Sequence, residues 1–579
     1  MKIIKYLLVA SAFSIVGCSK LIDLNPQSNI TANNYYSTAI EVNTALNGCY
    51  NSMQTPLTDE WTLTELRGDN AVQGSAASTS VPNRDLSDLD MYFPSTSHQG
   101  LYNYWLNTYY NIRNTNFVLN SLGVNYSSSA GTLSFDPITS SVNAADVKRL
   151  SAEATFIRAY HYFNLVRLYG DVFLVHKPIS PEEAKLVNRS PVVEVYKLII
   201  ADLLNTVNNG STAKFGSIAS TDIGRTNSWC AKALLAKVYL TLNRKTEAAI
   251  LLQDIITNSN YSLQPSYANL FSIANEMNSE MIFCIRFKAG GIGLGSSLPN
   301  LWAPTNSGSA VVIGDGKGYN TPSQDLYNSY TAINATGSTS TTSNNITLSA
   351  ANPLITIGMP VTGLQITQGT TVTAVNGALI TLSIKPSATL ANVALLAFGG
   401  DPRRITNIGI YTGRIFYPNK YMSAVAIAND AENDFPVLRY ADVLLMLAEA
   451  QGNSASSIAL INQIRLRAGL SALTTTAINT TALFEKALAD ERRWEFAFEN
   501  QRFFDLVRFN TTMTTITFQQ TMKDHFAIMY PFHYINYPNP KLTVNDLQNL
   551  VTTNKLLLPI PQREIDNNTA IVIKQNPGY

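Results

Sequence analysis

The spacing of apolar residues predicts helices along most of the chain. The clearest case runs through Phe156, Ala159, Phe163 and Val166 at intervals of three and four residues, and Gly170 follows where a left-handed residue would end the helix. The same periodicity predicts helices over 35–50, 101–119, 150–170, 193–204, 228–242, 246–258, 438–450, 456–468 and 480–498. The pattern therefore predicts a mostly α-helical protein.

Two of these predicted helices form a close pair. Asn243, Arg244 and Lys245 make a tight turn between 228–242 and 246–258, and both helices mix small and large apolar residues. Helical pairs of this kind resemble tetratricopeptide units, which stack side by side into a curved scaffold. We therefore expect tetratricopeptide-like pairs to form one side of the molecule.

A segment near the middle of the chain has a different composition. From 331 to 399 the only charged residue is Lys385, and Thr, Ser, Val and Ile dominate. Asn376-Gly377 is a strong hairpin signal. Short strands are predicted over 346–350, 354–357, 371–375 and 378–382. A disordered linker would lack this regular alternation of β-branched residues, so we predict a small all-β module inserted into a helical protein.

The N-terminus has the pattern of a bacterial lipoprotein signal. Two lysines precede an apolar run over 6–15, which is too short to span a bilayer. The run ends at Gly17 and Cys18, a lipobox in which the thiol is acylated and the peptide is cut before the cysteine. We predict a signal peptide over 1–17 and a lipid anchor on Cys18. The predicted segments are thus 1–17, 18–330, 331–399 and 400–579.

Charge and composition narrow the possible functions. Lys and Arg total 41 against 40 Asp and Glu, so there is no electrostatic case for nucleic acid binding. Only 14% of residues are charged, and abundant Ser, Thr, Asn and Tyr favour neutral ligands such as sugars. The five histidines form no metal-binding pair, and the spacing of Cys49, Cys230 and Cys284 does not suit zinc. We expect no metal and no cofactor, and at least one buried free thiol.

The segment 489–508 is the densest mixture of charge and large aromatic residues in the chain. Glu491 and Glu495 are one helical turn apart, and four arginines lie close by in sequence. Such a pair could act as a general acid and base. Carboxylates that share a helix face with arginine are more often a buried ion network, in which each charge needs a partner. We favour the structural interpretation.

Short motifs follow one another in a characteristic order from the lipobox to the C-terminus. They are Arg67-Gly68-Asp69-Asn70, Ala152-Glu153, Arg158-Ala159-Tyr160, Leu168-Tyr169-Gly170-Asp171, Gly224-Arg225, Asp401-Pro402-Arg403-Arg404, Leu438-Arg439-Tyr440-Ala441-Asp442, Glu491-Arg492-Arg493, Arg502-Phe503-Phe504-Asp505, Leu558-Pro559-Ile560-Pro561 and Asn576-Pro577-Gly578-Tyr579. In this order they resemble the SusD/RagB family of outer-membrane nutrient-binding lipoproteins. The 331–399 insertion departs from the family pattern and inherits no role from it.

The resemblance implies a SusD-like fold, with tetratricopeptide-like helix pairs on one side and a loop-rich ligand face on the other. It implies a lipid-anchored protein of the Gram-negative outer membrane, exposed at the cell surface and without catalysis. It also implies a partner, a TonB-dependent transporter of the SusC type, to which a captured glycan or oligosaccharide is passed. The helix pairs would be the natural surface for that transporter.

The resemblance also indicates where a ligand would bind. In this family the ligand loops lie in the first hundred or so residues and before the Asp-Pro-Arg-Arg motif. In this chain that points to ligand contacts at Arg67, Asp69, Asn70, Tyr92, Trp302 and Tyr319. Trp61 and Trp105 lie in helical patterns and are predicted to be core residues.

Two alternatives stay open at this point. A peptide-binding receptor of the RagB type would share the same motifs, and the loop residues do not choose between glycans and peptides. A surface glycoside hydrolase using Glu491 and Glu495 would need two carboxyl groups facing each other across a cleft, which a shared helix face does not provide.

Overall fold

A computed structural model describes residues 35–74, 83–138, 140–330, 333–353, 355–363, 365–367, 370–412, 415–538, 540–568 and 570–579. The predicted signal peptide and the predicted lipidation site at Cys18 lie outside the described residues. Among the helices of the described residues, none is both long and apolar enough to cross a membrane.

Helices make up most of the regular structure. They are α1 Ala39–Asn51, α2 Gln54–Thr64, α3 Asn83–Asp90, α4 Gln99–Ser121, α5 Ala144–Tyr169, α6 Pro181–Ala184, α7 Val192–Asn209, α8 Ser228–Thr241, α9 Lys245–Asn258, α10 Leu298–Trp302, α11 Gln324–Ser329, α12 Arg403–Asn407, α13 Tyr440–Gln451, α14 Ala455–Arg467, α15 Thr481–Glu495, α16 Arg502–Thr512, α17 Phe518–Met529, α18 Val544–Leu550 and α19 Gln562–Asn567. The predicted mostly α-helical fold is confirmed.

The strands are short and fall into several small sheets. They are β1 Ala71–Val72, β2 Val124–Ser127, β3 Thr132–Phe135, β4 Val172–Phe173, β5 Arg189–Ser190, β6 Met281–Ile285, β7 Thr321–Pro322, β8 Ile333–Thr339, β9 Asn345–Leu348, β10 Val361–Gly363, β11 Val372–Asn376, β12 Leu379–Leu382, β13 Leu390–Phe398, β14 Ile408–Tyr411, β15 Ile415–Pro418 and β16 Phe435–Arg439. Antiparallel pairs join β1 to β7, β2 to β3, β4 to β5, β6 to β16 and β14 to β15.

Polar caps explain where the longest helices begin. The side chain of Asn143 accepts a hydrogen bond from the backbone of Asp146 at the start of α5, and Asn227 does the same for Cys230 at the start of α8. Helix α5 packs against α7, α8 against α9, and α9 against α13, so successive helices stack along one side. Their apolar faces enter one large core, in which Trp61 is 2% exposed and Trp105 1%. Cys49, Cys230 and Cys284 are free and buried.

The inserted module, residues 333–398, has a core of its own. Its strand order is β10-β13-β8-β9-β12-β11, and β10 and β11 at the two ends are also joined. The Val361 N–H donates to the Thr370 carbonyl at 2.8 Å, and the Val372 N–H donates to the Met359 carbonyl at 2.8 Å. Among the described residues of the module the sheet therefore closes on itself, and neither β10 nor β11 is left as a free edge that could pair with another chain.

Apolar side chains make up the core of the inserted module, and the threonines Thr339 and Thr370 are buried beside them. The apolar side chains are Ile346, Leu348, Ile355, Val361, Val372, Ile380, Leu382, Ala394, Leu396 and Phe398. The predicted turn at Asn376-Gly377 joins β11 to β12, and Gly377 has the positive φ that this turn requires. On the body side of the insertion, Asn407 donates to the Tyr330 hydroxyl at 2.7 Å, which ties together the regions on either side of the module.

Several local predictions were wrong. Residues 355–357 form no strand, whereas β8, β10 and β13 were not predicted. No element was predicted between 71 and 99, but β1 and α3 lie there. Helix α15 ends at Glu495, not at Phe498, because Phe498 and Asn500 have positive φ and turn the chain toward α16.

Candidate functional site

Helix α15 places Glu495 at the centre of a buried ion network. Its carboxylate lies 2.7 Å from Nη1 of Arg403 and 2.7 Å from Nη1 of Arg439, and it also contacts Arg467. Burial alone would raise the pKa of Glu495, but these three guanidinium groups hold that pKa well below its usual range. A carboxylate held ionised in this way is a poor proton donor.

Glu491 lies in the same network. Its carboxylate is 2.7 Å from Nη1 of Arg403 and 3.3 Å from Arg465, and burial raises the pKa of Glu491. Both Glu491 and Glu495 are 0% exposed, and both contact the same nitrogen of Arg403. No space for a substrate separates the two carboxylates, so the geometry agrees with the structural interpretation of this pair.

The Arg67-Gly68-Asp69-Asn70 motif is also interior. Arg67 donates through Nη2 to the carbonyls of Lys555 and Leu556 at 2.8 and 2.9 Å. Asp69 receives a two-pronged contact from Arg502 at 2.7 and 2.9 Å. These bonds tie the N-terminal part of the body to its C-terminal part, which explains why so polar a motif is buried.

The other side chains of the predicted ligand set are also buried, with one exception. The Asn70 side-chain oxygen accepts from Nε of Arg493 at 3.0 Å, and the Tyr92 hydroxyl donates to the carbonyl of Arg67. Trp302 is 0% exposed and packs edge-on against Trp61, with ring centroids 6.0 Å apart. Buried side chains with these partners present no surface to a ligand.

The expected ligand set is therefore corrected. In this structure five of the six predicted contacts are interior side chains, and only Tyr319 is partly exposed. Tyr319 lies in a surface made by residues 288–320, 408–412 and 415–433, which we call the loop face.

Buried polar contacts hold the backbone of the loop face in place. The Asp430 carboxylate accepts hydrogen bonds from the N–H groups of Gly290 and Gly291, both at 2.8 Å. The Asn300 side chain donates to the carbonyls of Ile313 and Asp315 at 2.8 and 2.9 Å. Loops fixed in this way lose little conformational entropy when a ligand binds.

Three partly exposed tyrosines belong to the loop face. Tyr411 donates through its hydroxyl to the carbonyl of Asn306 at 3.1 Å. The ring of Tyr417 lies across Gly409, where a Cβ atom would be only 2.2 Å from Cζ of the ring. Strand β15, which carries Tyr417, packs against β7, and Tyr319 precedes β7 by two residues. Burial raises the pKa of Tyr417 and of Tyr319, so both hydroxyls stay neutral.

Sequence reasoning missed Tyr411 and Tyr417. The signal was present, because apolar and aromatic residues run from Ile408 to Tyr411 and again from Ile415 to Tyr417. Two such short runs separated by Gly413 are typical of a hairpin, and the structure has β14 and β15 there.

A second concave surface lies between α1, α2 and β6. This cavity of about 440 Å³ is lined by Tyr50, Gln54, Arg225 and Arg286 among others. Arg225 is already held by Glu153 at 2.8 Å, and Arg286 is held by two carboxylates, so these cations have partners within the fold. Tyr50 uses its hydroxyl on Glu153 at 2.7 Å. The loop face, with its partly exposed rings, is the better candidate for ligand contact.

Two family models match the chain. One, described as the SusD family, matches residues 392–579, and one described as starch-binding, associating with outer membrane, matches residues 21–240. The chain belongs to the SusD/RagB family. Most of the inserted module falls between the two matched segments, in agreement with its separate core.

SusD-like proteins from other bacteria are similar along the whole chain. SusD-like protein P2 of Formosa agariphila is 25% identical and is covered in full, as is this chain. SusD-like protein P25 of the same organism is 24% identical over 87% of this chain and 89% of its own length.

Solved SusD-like structures share the fold. A laminarin-binding SusD-like protein is 21% identical, with a TM-score of 0.62 over 93% of this chain and 99% of its own. Surface glycan-binding protein A from Bacteroides thetaiotaomicron, solved in complex with laminarihexaose, is 17% identical, with a TM-score of 0.63 over 93% and 99% of the two chains. At these identities the likeness establishes the fold.

Proposed function

We propose that this protein is a non-catalytic, lipid-anchored receptor of the outer-membrane surface that binds a neutral glycan at the loop face. It delivers that glycan to a TonB-dependent transporter of the SusC type. The observation that carries this proposal is a rigid loop face with three partly exposed tyrosines, on a fold shared with a laminarin-binding protein and with a protein solved with laminarihexaose.

The chemistry of the loop face suits a neutral sugar. Tyr319, Tyr411 and Tyr417 offer ring faces for the apolar side of a pyranose, and their hydroxyls can bond to sugar hydroxyls. At its border Lys288 and Glu432 pair with each other, so neither of these two charges is free to attract an ionic ligand.

The absence of catalysis in this proposal rests on the ion network. Glu491 and Glu495 have no exposed surface and share one arginine nitrogen. A glycosidase needs room between its carboxyl groups for the sugar and for water. A Glu491→Gln variant that stayed folded but lost a measurable hydrolysis would contradict this part of the proposal.

The proposed lipid anchor rests on the N-terminal sequence, and the proposed transporter partner rests on the family. Gly17 and Cys18 end a short apolar run, which is the lipobox pattern. The stacked helices α5, α7, α8 and α9 form the side that we propose docks on the transporter. Lipid on Cys18 is tested by mass spectrometry of the protein extracted from membranes, and docking by co-purification with the transporter.

Ligand binding is tested with the soluble form that lacks residues 1–18. Calorimetric titration against laminari- and malto-oligosaccharides and against oligopeptides identifies the ligand class. Chromatography of the same mixtures after a day detects turnover. We expect binding of a neutral oligosaccharide without product. Binding of peptides alone would instead favour a RagB-type receptor, and product would overturn the non-catalytic proposal.

The site is tested with matched tyrosine variants. Tyr411→Ala combined with Tyr417→Ala removes two rings of the loop face, and we expect affinity to fall about tenfold or more. Tyr110→Ala removes a ring that is 56% exposed on helix α4 and serves as the control. Equal affinities for the two variants would place the glycan elsewhere on the protein.

A further inference from the structure

Arg404 is a buried cation with no carboxylate partner. It is 4% exposed, and no carboxylate of the described residues lies within 4.0 Å of its guanidinium group. Asp401, three residues earlier, instead contacts Arg403 through Nε at 3.0 Å and Nη2 at 2.5 Å. Arg404 is thus unlike Arg403, whose charge is balanced within the fold.

The contacts that Arg404 does make are neutral. One guanidinium nitrogen donates to the hydroxyl of Thr362, which belongs to the inserted module. The guanidinium carbon also lies 4.9 Å from the ring centroid of Tyr327. A hydroxyl and a ring face offset only part of the loss of hydration on burial, and burial accordingly lowers the pKa of Arg404.

A cavity of about 140 Å³ adjoins this guanidinium group. It lies at the junction of the body and the inserted module, with Tyr327, Arg404 and Asn419 on the body side and Thr362 and Ile366 on the module side. A cavity of ~10–15 Å³ suffices for one water molecule, so this one has room for a small polar group.

The module side of the cavity cannot supply a counter-ion. Residues 331–399 contain no Asp or Glu, and their only charged residue is Lys385. On the body side the side chains lining the cavity, apart from Arg404, are uncharged. The positive charge therefore faces a cavity whose lining mixes polar side chains with aliphatic ones such as Ile366, Ile405 and Ile410 and includes no carboxylate.

We propose that this cavity binds an oxyanion, a carboxylate or sulfate group on a small polar molecule, with Arg404 as its charged contact. The planar fork of a guanidinium group pairs well with the oxygens of either anion. Of the other polar groups in the lining, the Thr362 hydroxyl accepts from Arg404 and keeps its own hydrogen for the anion, whereas the Asn419 amide already donates to the Ile405 carbonyl. The inserted module thereby acquires a role, because it forms one wall of the site.

The site is tested by titrating the mature protein with sodium glucuronate, sodium sulfate and glucose at constant ionic strength set with chloride. Ligand-observed NMR and the melting temperature report binding. We expect saturable binding of glucuronate or of sulfate, and none of glucose. The two anions distinguish a carboxylate-bearing ligand from a sulfated one. This test is independent of the proposed glycan function, since it uses only small molecules.

Arg404→Met removes the charge, and we expect the bound anion to be held about tenfold more weakly or lost. Arg113→Met is the matched control, because Arg113 lies over the Phe117 ring at 5.5 Å but is exposed on α4. Thr367→Trp fills the cavity from its exposed rim and leaves Arg404 in place, so it should also abolish binding. Unchanged anion affinity in Arg404→Met, or no saturable binding of either anion to the unaltered protein, would overturn the proposal.

Discussion

Helix α15 buries Glu491, Arg492 and Glu495 among other charged groups, whereas the inserted module has an apolar core and buries no charged side chain among its described residues. The partners of Glu495 come from Arg403, Arg439 and Arg467, which are far apart in sequence and on different elements. The core of the module comes from 53 residues of continuous chain, Ile346 to Phe398.

The difference shows two ways of specifying an interior. A buried charge is tolerated only when its partners arrive in the right geometry, so the ion network depends on the whole body being folded. An apolar core needs shape and volume but no particular partner. The charged interior should therefore respond to pH and to loss of a single charge, while the apolar interior should respond to loss of volume.

The largest expected difference is in the response to acid, which should destabilise the charged interior far more than the apolar one. Salt-bridged cations hold the pKa of Glu495, Asp69 and Asp442 well below the ordinary range, despite burial that alone would raise them. Their stabilising contribution is present above the unfolded pKa of ~4 and is lost as pH falls further. Burial raises the pKa of other carboxylates, such as Glu280, which are therefore protonated in both the folded and the unfolded protein below that pH. They do not offset the loss of stability there.

The measurement is hydrogen exchange of the full chain from pH 5 down to pH 2.5. We expect amides of α15 to lose protection first, while amides of the inserted module stay protected, because residues 331–399 contain no Asp, Glu or His. Simultaneous loss of protection in both regions would contradict their independence.

Removing one charge should give the next largest effect. Glu495→Gln leaves three buried arginines short of a counter-charge, and we expect the free energy of unfolding to fall by about 3–5 kcal/mol. Glu182→Gln, in the exposed pair with Lys185, is the control and should change it by ~0–1 kcal/mol. Denaturant unfolding at pH 7 measures both, and a loss below ~1 kcal/mol for Glu495→Gln would refute the network's contribution.

Removing volume should destabilise the other interior. Phe398 is 0% exposed in the core of the module, and Phe398→Ala should cost that module about 3–4 kcal/mol. The cost should appear as faster exchange of amides in β8 to β13, with α15 unchanged. Ile357→Ala, at a site 68% exposed, should have little effect. Equal loss of protection in α15 would mean that the module and the body unfold together.

An effect of opposite pH sign is expected at Glu65. Burial raises the pKa of Glu65 to about 8, and one carboxylate oxygen accepts the Asn500 N–H at 2.6 Å. Above pH ~4.5 the folded state therefore holds a proton that the unfolded state has lost. The contribution of Glu65 to the free energy of unfolding accordingly disappears as pH rises from ~4.5 toward 8. Glu65→Gln keeps an acceptor for Asn500 without a titratable group.

Unfolding free energies at pH 5 and pH 8 measure this effect. The unaltered protein should lose more stability between the two values than Glu65→Gln does. Equal changes in the two proteins would show that Glu65 titrates normally in the fold.

The helices were predictable because their signals are local. Periodicity over 228–242 predicted α8, Ser228–Thr241, and polar caps such as Asn227 mark its start within a few residues. The module was recognisable from its scarcity of charged residues. Strand β8 was not, because its Thr, Gly and Ser residues give only a weak alternation of apolar and polar positions. The length of α15 was overestimated, since the apolar Phe498 continues the pattern although its φ is positive.

The candidate site was less predictable for a different reason. The sequence of the polar motif Arg67, Asp69 and Asn70 would be the same whether these side chains faced solvent or buried partners. In the structure they face buried partners such as Arg493 and Arg502. Tyr319 is partly exposed on the loop face, but Tyr411 and Tyr417 joined it only through the packing of β15 on β7.

The sequence by itself determined the family, the helical class and the existence of an insertion with a single charged residue, because ordered motifs, periodicity and composition are properties of neighbouring residues. Only the tertiary structure decided which polar groups are buried, that the inserted sheet closes, and that Arg404 faces a cavity without a carboxylate. Those outcomes depend on contacts between residues tens to hundreds of positions apart, and the energy of a buried charge depends on the partners that such contacts bring.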